Sequence, residues 1–126
     1  MPKITLNDIE IFYEITGTGE PLLLIHGLGS SSRDWEYQVP VFAEHYQVIT
    51  CDVRGHGQSD KPPGPYSVPI FSDDIVPLMQ ALDIAPAHVM GISMGGMIAY
   101  QLAVDHPEMV KSLIVVNCNP ELPVRT

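Results

Sequence analysis

The chain opens with two short β-rich runs, Ile4 to Leu6 and Ile9 to Ile15. The turn pair Asn7-Asp8 between them predicts an antiparallel hairpin. After Gly17-Thr18-Gly19 the pattern changes. Pro21 to His26 (Pro-Leu-Leu-Leu-Ile-His) is apolar without alternation, as in a strand covered on both faces of a parallel sheet. Gln47 to Cys51, Ala87 to Ile92 and Val110 to Val116 share that character. Helical spacing fills the intervals. Phe71, Ile75, Leu78 and Leu82 fall on one helical face, with Ser67 as N-cap, Pro69 in the first turn and Pro77 as an expected kink. Met94 to His106 predicts a second helix, closed by His106-Pro107, and Trp35 to His45, interrupted at Pro40, a third. Strands alternating with helices predict an α/β fold: a mostly parallel sheet of about six strands, the first ones antiparallel, with flanking helices.

Length and composition narrow the function. At 126 residues, 45% of them apolar, the chain suits one domain with a core of its own and is too short for two. Six Lys+Arg against fifteen Asp+Glu give a net charge of -9, which leaves no source for the phosphate neutralisation that nucleic-acid binding needs. The N-terminus, Met1 to Asp8, has no apolar signal region and no stretch approaches the length of a bilayer-spanning helix, so the expectation is a cytoplasmic protein with no membrane partner. Cys51 and Cys118 lack metal spacing, and each closes an apolar run, which suits buried free thiols. No metal or cofactor is expected.

The candidate chemistry is concentrated at Gly91-Ile92-Ser93-Met94-Gly95, a G-x-S-x-G placed directly after a buried strand and directly before a helix. A strand that turns sharply into a helix holds the serine in a strained conformation and leaves room only for small residues two positions to either side. Gly91 and Gly95 supply them, and Gly96 allows close helix packing. Ser93 would then project from the C-terminal edge of the sheet as a nucleophile, with the positive end of the helix dipole beneath any oxyanion. The backbone N–H of Met94 is one candidate oxyanion donor. The second is the N–H of Leu28, in the His26-Gly27-Leu28-Gly29 loop after the third strand. Leu28, Trp35 and Met94 are candidates to line an acyl pocket.

His26-Gly27-Leu28-Gly29, Asp52-Val53-Arg54-Gly55-His56-Gly57-Gln58-Ser59 and Gly91 to Gly96, in that order, resemble the α/β-hydrolase family over nearly the whole chain. Within the family the sequence is most similar to small esterases, non-haem haloperoxidase-like hydrolases and 3-oxoadipate enol-lactonases. The resemblance implies hydrolysis of a small ester- or lactone-like substrate through Ser93. The Asp52 to Ser59 stretch reads as architecture, with Asp52 and Arg54 tying a tight loop through charge-assisted hydrogen bonds.

A nucleophilic serine needs a base to take its proton and an acid to orient that base, and in this family both follow the serine. After Ser93 the chain offers only Asp105, His106, Glu108 and Glu121. His106 lies thirteen positions along the helix, roughly 20 Å away at about 1.5 Å per residue and far outside hydrogen-bond reach. Glu121 follows the strand that returns to the catalytic edge and is the remaining candidate for the acid. His26 and His56 read as structural, and His45 and His88 carry no catalytic signal. The family fold continues with further strands, so residues 1–126 read as an incomplete α/β-hydrolase domain truncated after the strand that follows the nucleophile helix, without its C-terminal strands and lid. Val110 to Val116 would then be an exposed apolar edge. The expected partner is a chain carrying the C-terminal half, or another copy joined through that edge.

Two other readings compete. A fragment or binding module could retain the elbow without catalysis. Strand Leu22 to His26, followed by Gly27-Leu28-Gly29 and later Asp52, also mimics a dinucleotide-binding fingerprint, but Ser32 stands at the third glycine position and the elbow is left unexplained.

Overall fold

A computed structural model describes residues 2–117. Cys118, Asn119 and Glu121 lie outside the described residues. Strands β1 (Lys3–Leu6) and β2 (Ile9–Thr16) pair antiparallel with Leu6 opposite Ile9. Asn7 and Asp8 have φ of 50° and 64°. Two successive left-handed residues make the type I′ turn whose twist matches that of the flanking strands.

Strands β3 (Glu20–Ile25), β4 (Tyr46–Cys51), β5 (Ala87–Ile92) and β6 (Val110–Val116) complete a six-stranded sheet in the order β1-β2-β4-β3-β5-β6. β2 meets β4 antiparallel; the β4-β3-β5-β6 portion is parallel. The unbroken apolar character of β3 is explained by its central place. Leu23 and Ile25 join a large core with helix α2 (Val68–Ala81) and helix α3 (Met94–Asp105), while Leu22 and Leu24 join a smaller one with Trp35 and Val48 on the other face.

α2 begins at Ser67, whose hydroxyl accepts from the Ile70 N–H, and Phe71, Ile75 and Leu78 are buried beneath it. The helix continues through Pro77. The predicted Trp35 to His45 helix is corrected: the segment forms a 3-10 turn, Ser32–Trp35, and a separate short helix α1 (Val39–Phe42). Pro40 stands in the first turn of α1, where its missing N–H costs nothing, so it starts a helix instead of interrupting one.

The two faces are covered unequally. α2 and α3 lie over the large core, whereas α1 packs against β4. β6 is an edge strand with Leu113, Ile114 and Val115 each 36 to 40% exposed. Cys51 is a buried free thiol, its pKa pushed up to about 12 by burial.

Candidate active site

Ser93 sits between β5 and α3 with φ 54° and ψ -120°, a backbone region that L-residues rarely occupy. Its surroundings fix it there. Its N–H donates to the Val116 carbonyl at 2.9 Å, and its own carbonyl accepts from Gly96 N at 2.9 Å and Met97 N at 3.3 Å. Strain of about 1–3 kcal/mol persists only where neighbouring structure imposes it.

The glycines explain how the turn closes. A Cβ on Gly91 would stand 2.1 Å from the Gly95 carbonyl oxygen, and one on Gly95 would stand 2.2 Å from the Ile25 oxygen and 2.5 Å from that of His26. The close approach to β3 is made at Gly95. It presses the start of α3 against the end of β3, beside the His26-Gly27-Leu28-Gly29 loop. A Cβ on Gly27 would lie 3.5 Å from Ser93 Cβ.

Unlike Ser67, Ser93 makes no side-chain cap for the helix it precedes. Ser93 is exposed, and its hydroxyl has no hydrogen-bond partner among the described residues; neither have the N–H groups of Leu28 and Met94. Unpaired amides at a helix start and in an adjacent loop can receive an anion.

A family model described as alpha/beta hydrolase fold matches residues 20–125. The chain belongs to that family. Among relatives, it is 36% identical over 111 residues to an (E)-2-((N-methylformamido)methylene)succinate hydrolase of Acinetobacter baylyi, covering 88% of this chain and 42% of that protein. The structure superposes on an enol-lactonase from Burkholderia xenovorans with a TM-score of 0.90 at 32% identity, covering 98% of this chain and 51% of that one. For Est816, an N-acyl homoserine lactone degrading enzyme, the TM-score is 0.89 at 34% identity, with the same shares covered. The chain spans about half the length of the relatives it matches.

In this α/β-hydrolase the loops around Ser93 are held by buried polar groups. His26 is fully buried; its Nδ1 lies 2.7 Å from the Gly27 oxygen and its Nε2 accepts from the Val53 N–H at 3.1 Å. Acceptance at Nε2 puts the proton on Nδ1, which donates to Gly27. Asp52, also buried, accepts from Ser32 N at 2.7 Å and Gln58 N at 2.8 Å. Arg54 pairs bidentately with Asp74 of α2, both bonds 2.8 Å. Asp52 and Arg54 thus tie the loop through separate partners, not through each other.

Burial lowers the pKa of His26 below its ordinary 6.5, against an opposing pull from the Gly27 bond. The unfolded ring takes up a proton near pH 6.5, the folded ring only at lower pH. The ring's contribution to stability is therefore complete above about pH 6.5 and is lost as pH falls from there through the folded value. The urea midpoint should decline as pH falls below about 6.5, and less steeply in His26→Gln. Equal slopes in the two proteins would contradict this.

His56, His88 and His106 are bonded to groups other than Ser93. His56 Nδ1 lies 3.0 Å from the Arg54 carbonyl, and its ring packs against Phe71. His88 bonds Ser112 Oγ at 2.6 Å and Glu20 at 3.1 Å near the starts of the strands, and His106 pairs with Glu108 beyond the far end of α3. Among the described residues no side chain hydrogen-bonds the Ser93 hydroxyl, and no group of three or more His, Cys, Asp or Glu is placed to hold a metal. No helix of the described residues is long and apolar enough to cross a membrane.

Of the three candidate pocket residues, Leu28 is exposed and Met94 half-buried, but Trp35 is 5% exposed inside the smaller core. Trp35 there packs among Leu22, Leu24 and Val48 of the sheet, with Val39 and Phe42 against the same cluster. Sequence reasoning missed Asp34. Its carboxylate accepts from the Gly27 N–H at 3.0 Å, a bond across a loop that no residue pattern announces.

Proposed function

We propose that this chain carries the nucleophile and oxyanion half of a serine hydrolase acting on small ester- or lactone-type substrates. The observation that carries the reading is the strained, uncapped Ser93 with the unpaired amides of Leu28 and Met94 beside it. Ser93 Oγ attacks the substrate carbonyl and gives its proton to a base; the carbonyl oxygen takes the negative charge and is held by the two amides. Collapse expels the alcohol, which takes that proton, and water attacking in the same way releases the acid. The enol-lactonase and the N-acyl homoserine lactone degrading enzyme among the similar structures support this substrate class.

No base stands beside Ser93 among the described residues, so the chain by itself has near-background activity in this reading. The acid and base come from a segment that extends the sheet past β6, as a C-terminal half or a separate chain. Where that segment is not in place, the apolar edge of β6 pairs instead with another copy of the chain, which size-exclusion chromatography checks: a clean 13.8 kDa monomer contradicts association. A fluorophosphonate probe should label Ser93 once the completing segment is supplied and barely label the chain alone. Absence of labelling in the completed, folded protein overturns the hydrolase reading in favour of a binding module that keeps the elbow.

A further inference from the structure

The loop that carries Leu28 has almost no packing to hold it. Leu28 is 73% exposed, Gly29 has a left-handed φ of 74°, and a Cβ placed on Gly29 would meet nothing within 4 Å. Yet an oxyanion donor is useful only when its N–H is aimed before the charge forms. Polar tethers must therefore do the aiming, and one side chain reaches both ends of the turn. Asp34 Oδ2 accepts from the Gly27 N–H at 3.0 Å, while its Oδ1 accepts from the Ser30 hydroxyl. Ser30 N–H in turn donates to the Gly27 carbonyl at 3.3 Å, which also accepts from His26 Nδ1 at 2.7 Å on the buried side, so that Asp34 holds the turn from the exposed side. That carbonyl shares a rigid peptide plane with the Leu28 N–H, so whatever fixes the one fixes the direction of the other.

We infer that Asp34 is a positioning residue for the oxyanion site: its carboxylate clamps the Gly27–Ser30 turn and thereby aims the Leu28 amide at the carbonyl attacked by Ser93. The inference rests on the hydrolase reading above. Hydrogen bonds do the positioning, not charge. A carboxylate close to a developing oxyanion opposes it electrostatically, so the negative charge itself is of no use to the reaction. An asparagine can keep both tethers, its Oδ1 accepting from Gly27 N–H and its Nδ2 donating to Ser30 Oγ.

The test compares wild type, Asp34→Ala and Asp34→Asn in the completed protein. Removing an oxyanion donor outright costs about 10²–10³ in kcat, and a loosened donor loses part of that. Asp34→Ala should lower kcat by about tenfold or more with KM little changed, and Asp34→Asn should restore most of the loss. Hydrogen exchange at the Gly27 amide should quicken in Asp34→Ala and not in Asp34→Asn. Unchanged kcat in Asp34→Ala overturns the inference, as does a loss in Asp34→Asn equal to that in Asp34→Ala. If wild type turns over no ester or lactone, the hydrolase reading fails separately. Exchange then decides the clamp: unchanged exchange in Asp34→Ala overturns it.

Discussion

Gly95→Ala should cost about 3 kcal/mol of stability or more, read as a lower urea midpoint with an unchanged slope. Ordinarily the exchange favours a helix, by about 1 kcal/mol in an exposed interior. Here the added carbon would stand 2.2 Å and 2.5 Å from two backbone oxygens of the β3 end. A flexible side chain could swing aside; a carbonyl in the centre of a parallel sheet cannot. Either α3 lifts away from the sheet or β3 bends, and both take Ser93 out of register with the Leu28 loop. Any hydrolysis should therefore fall along with the midpoint. A variant as stable as wild type would show that the helix start does not press on β3.

Ser93→Gly should end any hydrolysis while making the fold more stable. Removing a nucleophilic serine costs about 10⁴-fold or more in kcat where it acts within a triad. Relief of the φ of 54° returns about 1–3 kcal/mol of backbone strain, from which glycine's greater freedom in the unfolded chain subtracts about 0.5–1 kcal/mol. The net is a gain of about 1 kcal/mol. Ser93→Ala is the control, because alanine loses the hydroxyl but keeps the strained backbone. Equal melting temperatures for the glycine and alanine variants would show that the elbow stores no strain.

The strands were legible because each is short, apolar and bounded by turn residues; β5 and β6 fall at their predicted limits and β3 and β4 within a residue of theirs. The segment from Trp35 to His45 was not, because a proline within a helical pattern can begin a new helix as well as break an old one. Only packing of Val39 and Phe42 against the smaller core chooses between them. Long-range polar pairings were also illegible. Arg54 meets Asp74 twenty positions away, and Asp52 meets Ser32 across the same separation, while nothing in the residue types points to either partner. Two serines show the same limit within the candidate site. Ser67 and Ser93 both stand immediately before helices, yet Ser67 has φ -153° and caps its helix, whereas Ser93 has φ 54° and does not. The difference comes from the glycines two residues to either side of Ser93, which allow a turn too tight for a cap.

Both oxyanion donors proposed here are main-chain amides, while the side chains of Leu28 and Met94 point away from the core or are only partly enclosed by it. In that reading, chemistry and substrate choice are written in different alphabets, one in backbone and the other in side chains. In the proposed hydrolase, substitution at the exposed position 28 changes what meets the substrate and leaves in place the amide that holds the oxyanion.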